Sequence, residues 1–207
     1  MSEQVVEHAG HGHGEAATVD PHFGTASDGK VGMWIFLLTD AMSFSGLLLG
    51  YGILRAGSHD WPNPAERLGI PSTAIMTFAL ICSSVSMVLA LEAAKMKDNA
   101  GLQKWLLATI GGGAFFLLGQ VREYTNLIRE GHVLSQDQFM STFYSVTGFH
   151  GMHVFTGVCY LTVIYLGARK GKYSSGDNYN MVEICGLFWH FVDLVWILVF
   201  TFVYLIQ

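Results

Sequence analysis

Of 207 residues, 51% are hydrophobic and only 13% are charged, with a net charge of -5. A soluble domain carries roughly a quarter of its residues as charges, so this composition argues against an ordinary water-dissolved globule. The acidic balance, without a basic patch, argues against a nucleic-acid partner.

Residues 1–30 come first and contain EHAGHGHGEAATVDPHFG. A segment so polar and rich in Gly cannot bury a core, and it is predicted to be a disordered His/Gly-rich tail. His8, His11 and His13 could hold a metal ion, but nothing fixes a ligand geometry there, so a solvated tail is the reading. The tail shows neither an apolar stretch nor a basic leader, so the first apolar span is expected to do the targeting.

Residues 31–207 are predicted to form one transmembrane domain. Five apolar stretches cover about 31–54, 72–94, 102–124, 139–168 and 181–206. At ~1.5 Å rise per residue each can cross a hydrocarbon layer of ~30 Å. A backbone in lipid must satisfy its own hydrogen bonds, which leaves helices or closed barrels. Continuous apolar runs lack the alternation of barrel strands. The prediction is an all-α, polytopic membrane bundle of five helices.

The connections hold the chain breakers. Residues 56–71, AGSHDWPNPAERLGIP, carry three of the four prolines. Residues 122–138 are mixed in character and are expected to extend the third helix beyond the membrane. Lys30, Lys95, Lys97, Lys104, Arg169, Lys170 and Lys172 fall on one side, and Arg55, Arg67, Arg122 and Arg129 on the other. The richer side should be cytoplasmic, which puts the N-terminus inside and Gln207 outside. Cys82, Cys159 and Cys185 each lie in an apolar run without a CxxC pair, and read as small residues inside helices.

Ionisable side chains in hydrocarbon cost several kcal/mol and need a reason. Asp40 lies about nine residues into the first span. Glu123 lies near the end of the third, His150 and His153 on the fourth, and Glu183, His190 and Asp193 on the fifth. His150 and His153 are three apart, as are His190 and Asp193, so each pair shares a helix face. Glu183 falls two turns before His190 on the same face. The fifth helix should therefore carry one polar stripe facing protein, with Glu123, His150 and His153 as partners. Four readings compete: a haem or metal site, proton conduction through buried acids, lipid binding with head groups at Arg169 and Lys170, and a hydrogen-bonded network that fixes helix register.

Five segments resemble a known family. FWHFVDLVWILVFTFVYL and STFYSVTGFHGMHVFTG are similar to the last two helices of subunit III of the haem–copper terminal oxidases. LLGQVREY resembles the segment before them, WIFLLTDAMSFSG the helix with the family's buried carboxylate, and the WP loop followed by IPSTAIM its neighbour. The match runs from about residue 31 to 206, in the short five-helix form. The resemblance implies an accessory, non-redox subunit docked beside subunit I, with subunit II and other oxidase subunits in the same complex of a bacterial cell membrane. It implies no cofactor in this chain, haem and copper in subunit I, and phospholipids bound to the bundle. The implied role is to stabilise subunit I, bind lipids and support proton uptake in an enzyme that reduces oxygen to water.

Asp40 stands where the family has a carbodiimide-reactive glutamate. Leu49 and Ile53 stand where many cytochrome c oxidase members carry Trp and His. The family's basic residue after the fourth helix falls near Gly167, with Arg169 the nearest substitute. The resemblance leaves the electron donor open between cytochrome c and quinol. A nitric oxide reductase accessory protein of the same family is the nearest alternative. A stand-alone transporter or proton channel is the alternative from another class, although no internal repeat is evident and all four prolines lie outside the apolar runs.

Overall fold

Five long helices follow from the apolar stretches, and the computed structural model describes them over residues 27–173 and 179–206. They are α1 (Asp28–Gly57), α3 (Ile70–Lys95), α4 (Asn99–Arg129), α5 (Gln138–Arg169) and α6 (Asn180–Val199). The one-turn helix α2 (Pro64–Arg67) interrupts the first connection, and Phe200–Leu205 continues α6 with π-helical turns. All five long helices are apolar enough to cross a membrane. His8, His11 and His13 lie outside the described residues.

The spans run longer than the hydropathy suggested. Helix α1 starts at Asp28, so the last residues assigned to the tail belong to it. Its first turn is held to α6 by Lys30 Nζ on Glu183 Oε2 at 2.8 Å and by Ser27 with Asn180. Helix α4 runs on to Arg129 because its inner face stays buried, with Glu123 and Leu127 turned into the bundle. Capping fixes several starts: Asp98 accepts from the N–H groups of Ala100 and Gly101, and Asp137 from that of Met140. Asn63 caps α2, with proline in its first turn.

Helix α6 is the axis of the bundle. It packs on α1, α3 and α5, while α3 and α4 form the most extensive antiparallel pair. Trp189 and Trp196 of α6 are both about 1% exposed. Trp189 fits only because its neighbours are small. A Cβ at Gly157 would lie 2.9 Å from its ring, and one at Gly113 would meet the opposite edge. The two indole N–H groups still find acceptors, Trp189 on Ser83 Oγ (3.2 Å) and Trp196 on Thr77 Oγ1 (2.8 Å). In an apolar interior, leaving either unbonded would cost about 1–3 kcal/mol.

The α2 end of the bundle is clamped from several directions. Arg55 donates to the carbonyl of Ile206 at 2.9 Å, and Trp61 wedges edge-on between Tyr51 and Phe139. Arg67 pairs with Asp137, the cap of α5. Partial burial raises the Asp137 pKa, but the Met140 N–H and the Arg67 guanidinium outweigh it and hold the carboxyl below its ordinary range.

Candidate functional site

Asp40, 7% exposed, sits in the middle of α1 against α5. Its Oδ1 lies 3.2 Å from His153 Nε2. His153 Nδ1 lies 2.8 Å from the carbonyl oxygen of Phe149, one turn back. A carbonyl can only accept, so Nδ1 carries a hydrogen. The hydrogen between Nε2 and Oδ1 then rides either on the imidazole or on the carboxyl. In both forms the pair carries no net charge. Removing that proton would leave an uncompensated charge in a low-dielectric site, which is costly. The rings of Phe44 and Phe149, centred 5.1 and 4.7 Å from that of His153, wall the pair off.

His150 lies one turn before His153 but serves differently. It is fully buried, stacked on Trp196 with centroids 4.7 Å apart, and meets the edge of Phe116 at 5.6 Å. Neither ring nitrogen has a hydrogen-bond partner among the described residues.

The polar stripe of α6 does not meet the partners expected for it. Glu183 pairs with Lys30 at the far end of the bundle. His190 Nδ1 bonds Ser84 Oγ of α3 at 2.6 Å. Asp193 is buried, and its Oδ1 has no partner among the described residues. Glu123 takes the Thr73 hydroxyl at 3.2 Å and the Tyr204 hydroxyl at 3.4 Å. The expected single network is therefore resolved into separate pairs, because the α6 face bearing His190 and Asp193 turns toward α3 rather than α5. Among the predicted residues, only Asp40 and His153 are joined.

Of the others, Glu123 meets the hydroxyls of Thr73 and Tyr204, and His190 that of Ser84, while Thr77 and Ser83 serve the indoles of Trp196 and Trp189. Gln120, Tyr124 and Thr147 form a further cluster between α4 and α5. Sequence reasoning passed over them because a serine or threonine in a helix can equally bond its own preceding turn. Arg169 and Lys170 lie exposed at the end of α5. Among the described residues no three His, Cys, Asp or Glu side chains gather closely enough to hold a metal ion.

A family model described as cytochrome c oxidase subunit III matches residues 14–207. The chain belongs to that family. It is 37% identical to a cytochrome c oxidase subunit 3 of Thermostichus vulcanus, covering 93% of this chain and 94% of the relative. It is 36% identical to the subunit 3 of Corynebacterium diphtheriae over 86% and 88% of the two chains, and 38% identical to that of Synechocystis sp. over 89% and 78%. Subunit III is the accessory subunit of the haem–copper oxidases, so this chain is a multi-pass membrane component of a terminal oxidase complex and not itself the catalyst. These relatives favour neither the nitric oxide reductase alternative nor the transporter. Membership also implies other oxidase subunits as partners and suggests no redox cofactor in this chain.

Proposed function

We propose that the chain docks beside subunit I in a bacterial cell membrane, with its N-terminus in the cytoplasm, where it stabilises subunit I and supports proton uptake. Haem and copper reside in subunit I, and subunit II is a neighbour in the same assembly. Phospholipid head groups meet Arg169 and Lys170 at the cytoplasmic end of α5. These residues form no ion pair among the described residues and sit where anionic lipid favours basic side chains.

The observation that carries this reading is the Asp40–His153 pair, held on the helix with the barest outer face. Trp34, Leu38, Met42, Leu49 and Ile53 of α1 are each more than 60% exposed. An apolar helix face so open needs lipid or a partner subunit against it. Directly behind it sits a proton-holding pair, which suits a role in keeping protons available to the neighbour.

The test is the working lifetime of the intact oxidase. Asp40→Asn should leave the complex assembled with its haem content and initial rate nearly unchanged, yet shorten the time to inactivation during turnover. An unchanged lifetime would remove the proton role while leaving the docking reading intact.

A further inference from the structure

Helices α1 and α6 run side by side in the same direction, tied at one end by Lys30 on Glu183 and at the other by Arg55 on the carbonyl of Ile206. Between those ties lies a groove of about 370 Å³, within the range of ~300–1,000 Å³ usual for small-ligand pockets. Trp34, Leu38 and Ala41 of α1 form one wall, and His190, Phe191 and Leu194 of α6 the other. Trp34, Leu38 and Leu194 are each more than half exposed, so the groove opens sideways, toward lipid.

His190 gives this groove its chemistry. Its Nδ1 is bonded to Ser84 Oγ of α3 at 2.6 Å, which holds the ring, while Nε2 has no hydrogen-bond partner among the described residues. The indole of Trp34 is the other polar group in the lining. Ten residues separate His190 from Asn180, the first residue of α6, so the ring lies about 15 Å along the helix. That is near the middle of a hydrocarbon layer of ~30 Å. Phospholipid chains present only hydrocarbon at that depth and would leave the nitrogen unpaired, at a cost. Fatty acids and sterols carry their oxygens at the membrane surface. A lone water would find fewer than its usual ~3 partners. An occupant that answers the ring must enter from lipid, lie flat between Trp34 and Phe191, and bring an oxygen to mid-membrane.

We propose that the α1–α6 groove binds an isoprenoid para-quinone, with a ring oxygen on His190 Nε2, the ring between Trp34 and Phe191 and the tail in lipid. Such quinones are the mobile carriers of respiratory membranes, where a terminal oxidase subunit works. Two aromatic side chains on facing walls suit a planar ring. The bond to Ser84 serves both redox forms. When the Ser84 hydroxyl donates to Nδ1, Nε2 carries a hydrogen and donates to a quinone carbonyl. When Nδ1 donates to Ser84, Nε2 is free to accept from a quinol hydroxyl. Binding alone is meant, with no electron transfer in this chain, and it is independent of the proton role given to Asp40.

The test photolabels the whole oxidase complex in nanodiscs with a geranyl para-benzoquinone that carries an azide on its ring, and maps the adducts by peptide mass spectrometry. Adducts on this chain should concentrate in residues 34–41 and 187–194, and excess unlabelled quinone should abolish them. A geranyl phenyl azide without the carbonyls should label the lipid-facing helices alike. His190→Phe should lower the groove adducts about tenfold, the equivalent of one hydrogen bond lost in an apolar site. Leu38→Trp fills the groove from an exposed position, leaves His190 and Ser84 in place, and should remove the adducts. Phe155→Trp, on the open face of α5, should not. Adducts spread evenly over the exposed helices, or groove adducts undiminished in Leu38→Trp, would overturn the proposal. So would equal groove labelling by the probe without carbonyls, or a helix of another oxidase subunit found cross-linked at Leu194, which would make the groove a protein interface.

Discussion

Helices α6 and α1 are both apolar and both span the bundle, but they solve different problems. Within the membrane-spanning window, 56% of α6 is buried inside the protein, against 17% of α1. Helix α6 holds the fold together through large aromatic side chains seated on glycines of α4 and α5. Helix α1 contributes little to that core, yet it carries Asp40. The bundle is thus anchored on one helix, and the buried Asp40–His153 pair lies behind the open outer face of another.

The largest effect should come from the anchor. Trp189→Ala empties a fully enclosed space between Gly113 and Gly157 and takes the indole donor from Ser83, and should cost about 3–5 kcal/mol. Thermal denaturation of the purified complex would register this as early loss of the subunit. If the variant proved as robust as the native chain, α6 would not be the organising helix. A smaller loss, about 1 kcal/mol, is expected for Trp196→Phe, which keeps the stack on His150 but leaves Thr77 without its indole donor.

Next comes the clamp at the α2 end, whose effect should depend on pH. Asp137 has its pKa lowered in the folded state, so its contribution is present above the ordinary value of 3.8 and is lost as pH falls through the folded value. Arg67→Met should therefore destabilise the subunit at neutral pH by up to about 1 kcal/mol. Melting curves of variant and native complexes should converge on acidification below that value. A gap that stayed constant down to low pH would deny the carboxyl any part in it.

The smallest effect on the fold itself should come from the open face of α1. Met42→Ala changes a side chain that is 70% exposed and should alter the subunit's own stability by less than about 0.5 kcal/mol. If α1 faces a partner subunit, the same change should loosen retention of this chain during detergent washing. A change in neither quantity would place lipid, not protein, against Met42.

Much of this architecture was legible in the chain. The five spans follow from hydrocarbon thickness and apolar run length, and the exclusion of prolines from the runs agreed with unbroken helices. Helix ends were less legible. The first turn of α1 is polar, and what keeps it helical is tertiary, Lys30 on Glu183, whereas the expected extension of the third helix past Glu123 is there, running to Arg129. Helix α2 was hidden among prolines, although Asn63 followed by Pro64 is a readable cap.

For the candidate site, spacing correctly put His190 and Asp193 on one face, but spacing cannot say which neighbour that face meets. Helix rotation turned it toward Ser84 on α3, so histidine and acid partners were expected where hydroxyls stand. Nothing local to α1 reveals that Asp40 meets His153, which arrives from a helix more than a hundred residues later.

The most direct measurement is made on a tagged copy of this chain drawn from membranes in mild detergent, with the visible spectrum and the accompanying polypeptides recorded together. The account predicts that haem absorbance arrives with the other oxidase subunits and departs with them when the complex is split, leaving this chain colourless. A Soret band that stays with the separated chain, or a chain that emerges without any oxidase subunit, would contradict it.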